Sequence, residues 1–305
     1  VVVGVDGSPA TALAVDWAVA RARMTGAPLR LVSAYLADNI IAPVPGARTG
    51  GPGRLRPTGG QVVALHHLDA AVRRIRTAAP TADVETAAVA GPARAVLLHE
   101  AQRAQVIVVG SRRLGAAHRL FSPSTGAAST ARAACPVVVV REAATRSLPE
   151  ARVVVGVDGP ASRSALRFAF EEADRWGTGL TAVYAWRLNA ADLGSLVRPG
   201  VTHETVPAAA RALVADLVHP VAADHPEVDV RIDVVEGHAV DELVSLSANA
   251  RLVVVGSRGL GSLWALLLGS VSREVIRQAH CPVAVVHPQS AVEPTPTRRP
   301  EVVYD

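Results

Sequence analysis

Leu252-Val-Val-Val255-Gly256-Ser-Arg-Gly259-Leu-Gly-Ser-Leu-Trp-Ala-Leu-Leu-Leu-Gly269-Ser270 joins an unbroken apolar run to two clusters of small residues held nine residues apart. The run predicts a strand buried on both faces, which belongs in a parallel sheet covered by helices. Gly256 and Gly259 let the backbone turn and let a bulky anion approach without a Cβ in the way. The spacing of Val271, Val275, Ile276 and Ala279 predicts a helix opening at Gly269-Ser270. The first N–H groups of a helix have no partner inside it, and its dipole end favours negative charge. Gly256, Ser257, Arg258, Gly259, Gly269, Ser270, Val271 and Ser272 therefore form a candidate phosphate cradle, in which Ser257 donates and Arg258 adds charge. A glycine after a buried strand is also ordinary punctuation in an α/β protein, so geometry leaves phosphate binding and plain turn formation both open.

The same pattern occurs twice. VVVGVDGS from Val1 answers VVVGVDGP from Val153, and VIVVGSRR from Val106 answers LVVVGSRG from Leu252. Ala134-Cys135-Pro136-Val137 answers His280-Cys281-Pro282-Val283, and Gly91-Pro92-Ala93 answers Gly237-His238-Ala239. This internal repeat predicts two domains, 1–141 and 152–288, with a Pro-bearing tail over 289–305 and a polar linker from Glu142 to Ala151. Val-rich runs alternate with stretches of helical spacing, the mark of βαβ units. We expect an α/β fold of two tandem doubly wound, Rossmann-like domains, each a five-stranded parallel sheet with helices on both faces. In the second copy the strands are expected at Arg152 to Val157, Leu180 to Trp186, about Val228 to Val235, Leu252 to Val255 and Val283 to His287. The first helix of that copy should bury Ala165, Ala169, Ala173 and Trp176. The Gly/Pro-rich stretch from Pro43 to Gly60 reads as a mobile surface loop, or as a lid or docking loop over a ligand.

Half of the residues are apolar, enough for two cores without staples. Cys135 and Cys281 read as buried small hydrophobes, which suits a reducing cytoplasm. No apolar run approaches a membrane span and no leader pattern precedes the first strand, so we expect a cytoplasmic protein with no membrane contact; a chain opening inside a strand predicts a few preceding residues. The net charge of +4 and pI near 9.8 are carried by dispersed arginines, with ten Phe, Trp and Tyr residues in all, which argues against nucleic acid as a partner. The ten histidines lack the i, i+4 spacing of a helical metal site and read as solvated. No Walker-type G-x-x-x-x-G-K-[S/T] is present, since the chain has no lysine.

Asp6 and Asp158 end the first strand of each copy, where open parallel sheets place their ligands, although Asp-Gly is itself a turn signal. Gly4 and Gly156 interrupt those strands and imply close approach of something large. The pattern G-x-x-G-x9-G-[S/T] after VVVG, with Cys281-Pro282-Val-Ala-Val-Val286 behind it and Val153-Val-Val-Gly156-Val-Asp158-Gly159 ahead, resembles the ATP-binding signature of the universal stress protein family. The resemblance covers nearly the whole chain, twice. It implies ATP as ligand, possibly with Mg²⁺. It also implies that Asp158 and Asp6 line the site and that adenine rests near the backbone of Ala185 and Ala34. It further implies association through the last strands, Val137 to Val140 and Val283 to His287, as an intrachain pairing of copies plus a homodimer.

The first copy departs from the pattern. Gly110, Ser111 and Arg112 are kept, but Arg113 stands in place of Gly259 and Pro123-Ser124 in place of Gly269-Ser270. Pro123 has no N–H to donate, so the second copy should bind the more tightly. The resemblance implies an ATP-dependent regulator of stress response or growth with an unknown protein partner. The alternative is a slow ATPase or nucleotide-transferring enzyme, and a ligand-free structural or chaperone-like stress module is a third class.

Overall fold

The computed structural model describes residues 1–36, 58–111, 133–141, 151–187, 205–257 and 269–287. The excursion at 37–57, the first-copy counterpart of the cradle at 112–132, the linker 142–150, the cradle's middle at 258–268 and the tail 288–305 lie outside the described residues. Arg112, Arg113, Pro123, Ser124, Arg258 and Gly259 fall with them.

The first copy runs β1 (Val2–Gly4), α1 (Pro9–Thr25), β2 (Leu29–Tyr35), α2 (Gly59–Ala78), β3 (Val84–Ala90), α3 (Ala93–Glu100), β4 (Ile107–Ser111) and β5 (Val137–Arg141). The second repeats it as β6 (Arg152–Gly156), α4 (Arg163–Arg175), β7 (Leu180–Trp186), α5 (Val206–Ala222), β8 (Val230–Glu236), α6 (Ala239–Ser247), β9 (Ala250–Gly256), α7 (Ser270–Gln278) and β10 (Val283–Val286). The expected strands are all found; the third begins two residues later and the fourth is longer at its start. Local chemistry sets the helix ends. Ser8 accepts the Thr11 N–H at 3.2 Å as N-cap of α1, with Pro9 behind it, and Gly26 closes the helix at φ 62°.

Strand order within each copy is 3-2-1-4-5, all parallel, as the βαβ pattern requires. The two copies do not keep separate sheets. β5 and β10 pair antiparallel, Val137 to Val285, Val138 to Ala284 and Val139 to Val283, making one sheet of ten strands in the order β3-β2-β1-β4-β5-β10-β9-β6-β7-β8. This is the intrachain pairing of the copies that the resemblance implied, and it uses the strands through which a homodimer was also expected. β5 is already bonded to β4 and β10, and β10 to β9 and β5, so neither has an edge left for a second chain.

Alternation along the strands divides the core into two layers. Val153, Val155, Leu252, Val254, Val138 and Ala284 face α1, α2, α4 and α5. Val154, Val253, Val255, Val137 and Val285 face α3, α6 and α7. Cys135 and Cys281 are free thiols buried in the second layer, and burial pushes them up to about 11 and about 12. Not every histidine is solvated as expected. His225 stacks on Phe170 at 5.8 Å and lies 3.2 Å from Asp174 Oδ2, while His67 lies against Gly7.

Candidate functional site

With order 3-2-1-4-5, successive crossovers leave the central strand in opposite directions, so a crevice opens beyond the carboxyl ends of strands one and four. In the second copy these are β6 and β9. Gly156, Val157 and Asp158 leave the first, and Gly256 and Ser257 leave the second. The sequence-predicted residues therefore converge on the topological switch point, although they are a hundred positions apart in the chain.

Ser257 continues the alternation of Val253 and Val255, so its side chain belongs to the face that carries α6 and α7. Its backbone is spent: the N–H donates to Val286 O at 2.9 Å and the carbonyl accepts the Gly269 N–H at 2.9 Å. Its hydroxyl is buried and has no hydrogen-bond partner among the described residues. Burying a hydroxyl unpaired costs about 1–3 kcal/mol, so this atom marks a place where a ligand would complete the bonding.

Directly above lies the start of α7. Gly269 is its N-cap and supplies no side-chain cap, and the first turn holds no acidic residue. Gly269's own amide is taken by Ser257 O and the Arg273 N–H bonds Gly269 O. Ser270, Val271 and Ser272 thus carry the first-turn amides that no helical carbonyl meets. Ser272 Oγ turns back onto Gly269 O at 3.3 Å.

Asp158 keeps a local bond as well. Its N–H donates to Ser162 Oγ at 3.0 Å, and that hydroxyl donates to Asp158 Oδ1 at 2.6 Å. Asp6 repeats this with Thr11 Oγ1 at 2.5 Å and the Ser8 N–H at 3.0 Å. Gly159 and Gly7 follow at φ 137° and 71°, so the Asp-Gly turn is real in both copies. One carboxylate oxygen of each aspartate serves the turn.

Ala185 sits where the ladder runs out. Val157 N–H bonds Val183 O, and β6 pairs with β7 no further than Gly156 to Val183. Ala185 points its backbone groups the same way as Val183, past the end of β6, and Ala34 does so in the first copy beyond Val5 and Val32.

Three predicted residues have another explanation. A Cβ on Gly110 would fall 2.5 Å from Ala10 O and 2.6 Å from Thr11 N, so the start of α1 needs that glycine. A Cβ on Gly4 would fall 3.2 Å from Val109 Cγ1 and 3.3 Å from Leu97 Cδ1, and one on Gly156 would fall 3.1 Å from Leu243 Cδ1. Packing of α3 and α6 on the sheet therefore accounts for these two glycines. Ser111 is buried at the end of β4.

Sequence reasoning missed α6. A cleft of about 420 Å³ lies between the first turns of α6 and α7, lined by His238, Ala239, Val240, Ser270, Val271, Arg273 and Glu274. Arg187, two residues past Ala185, lays its guanidinium against the His238 ring, 2.6 Å from Nε2. The first copy has Leu36 and Pro92 at these places, as the matching bonds of Gly91 to Tyr35 and Gly237 to Trp186 show. A signal was available in Gly237-His-Ala against Gly91-Pro-Ala, where the repeat itself differs.

The sequence profile of the universal stress protein family matches residues 1–141 and again 151–287. The chain belongs to the universal stress protein family. A universal stress protein of Mycobacterium tuberculosis is 35% identical over 292 residues, 93% of this chain and 96% of the relative. One from Mycolicibacterium smegmatis is 34% identical over 298 residues, 95% of this chain and 97% of the relative. The fold of a solved universal stress protein from Archaeoglobus fulgidus, 16% identical, superposes with a TM-score of 0.55 over 94% of this chain and 98% of that one. Among the described residues of this universal stress protein, no helix is long and apolar enough to cross a membrane.

Proposed function

We propose that the second copy binds ATP at the β6–β9 switch point and that the protein is a cytoplasmic, nucleotide-responsive regulator of stress response or growth. The observation that carries the reading is the buried, unpartnered Ser257 hydroxyl beneath the uncapped first turn of α7. Phosphate oxygens would accept from that hydroxyl and from the amides of Ser270, Val271 and Ser272, while the Ala185 backbone would meet the adenine edge and the free oxygen of Asp158 the sugar. Among the described residues no three His, Cys, Asp or Glu side chains come together as metal ligands, so Mg²⁺ would travel on the phosphates. Nucleotide occupancy would then shift a population of conformers read by a protein partner.

Calorimetric titration of the whole chain with ATP tests this. Ser257→Ala should weaken binding about tenfold, the worth of one charge-assisted hydrogen bond, while leaving the ligand-free protein as stable as before or more so. Absence of any heat with the parent protein at millimolar ATP would sink the proposal.

A further inference from the structure

The seam between the copies carries a charge code. Gly26 at φ 62° and Gly177 at φ 58° end α1 and α4 alike, and β2 and β7 begin at Leu29 and Leu180. By that offset Arg21 and Glu172 occupy the same position in the two copies. They also touch: Arg21 Nε donates to Glu172 Oε1 at 2.9 Å, with the side chains 2% and 0% exposed. A position that meets its own counterpart lies on the local two-fold axis. The sheet agrees, because Val138 pairs with Ala284, and these two are equivalent by the offset that joins Cys135 to Cys281. Both belong to the core layer beneath α1 and α4.

We propose that this seam selects its partner by charge, so that a first-copy surface accepts only a surface bearing an acid at the Glu172 position. A first copy laid on another first copy about this axis would bury Arg21 against Arg21. Two second copies would bury Glu172 against Glu172. Either costs more than the mixed pair, the arginine pair the most, since a buried charge without its opposite is strongly unfavourable. Glu172 keeps Arg175 Nη1 at 3.0 Å and Trp176 Nε1 at 3.2 Å from its own copy in any pairing, whereas Arg21 depends on the acid across the seam. The facing runs, 137–140 of β5 and Val283–Val286 of β10, are valine but for Ala284 and would pair with anything of similar pattern, so register in the sheet supplies no such choice.

Single substitutions in the full chain reproduce each forbidden seam. Glu172→Arg faces the cations Arg21 and Arg175 and Arg21→Glu faces the acid Glu172, and each should lower the melting temperature by about 10 °C or prevent folded protein from accumulating. The exchange Arg21→Glu/Glu172→Arg should recover part of that loss, since the cross-seam pair returns while Arg175 and the Trp176 N–H remain beside position 172. The apolar pair Arg21→Leu/Glu172→Leu should melt close to the parent, because the charges select the partner without being needed for cohesion. Singles as stable as the parent, an exchange no better than the singles, or an apolar pair as weak as the singles would each overturn the proposal.

Discussion

Glycine has three different uses at the strand ends and at the α7 N-cap. At Gly110 the constraint is backbone against backbone, with the Ala10 carbonyl and Thr11 amide in the way of any Cβ. At Gly156 the neighbour is Leu243 Cδ1, the far end of a flexible side chain. Gly110→Ala should therefore cost about 2 kcal/mol in urea unfolding and Gly156→Ala clearly less. Equal losses would show that the two positions are packed alike. Gly269 differs again, since its φ of −56° suits any residue. In sequence these positions look the same, for what separates them is a neighbour from a distant element. The cysteines were legible because a small apolar residue before an apolar closing strand has little choice but burial.

The first turn of α7 has no side-chain cap, like those of α3 to α6, while α1 is capped by Ser8 and α2 by Thr58, whose hydroxyl accepts the Gln61 N–H at 3.3 Å. A bare turn forgoes about 1 kcal/mol of helix stability. Gly269→Asp would place a carboxylate on the amides of Val271 or Ser272, so thermal unfolding of the ligand-free protein should rise by a few degrees. The same substitution should reduce ATP affinity more than tenfold in calorimetry, because the cap competes for those donors and repels phosphate. Higher stability with unchanged affinity would place the phosphates elsewhere. Helix position was readable from Val271, Val275 and Ile276. The facing turn of α6 was not, because His238 and Ser270 come to line one cleft only once β8 and β9 are placed.

At the scale of the molecule, the layer containing Val138 and Ala284 runs unbroken across both copies, from α2 to α5. Trp17 and Trp176 meet across the seam with ring centroids 6.3 Å apart, and the Arg251 guanidinium lies 4.8 Å from the Trp176 ring. A shared core predicts that the copies unfold together. Tryptophan fluorescence and far-ultraviolet circular dichroism should trace one coincident urea transition. Two separated transitions would mean that each copy is stable without the other. The sequence by itself determined the duplication, the strand and helix order within each copy and the switch-point residues, because apolar periodicity and glycine punctuation are local. The family resemblance implied that the last strands pair within the chain; only the tertiary structure decided that this pairing is antiparallel and leaves those strands no free edge, that Arg21 faces Glu172 and that Ser257 is buried without a partner among the described residues. Those facts depend on which surfaces meet across long separations, and burial and pairing between distant residues leave no periodic trace in the chain.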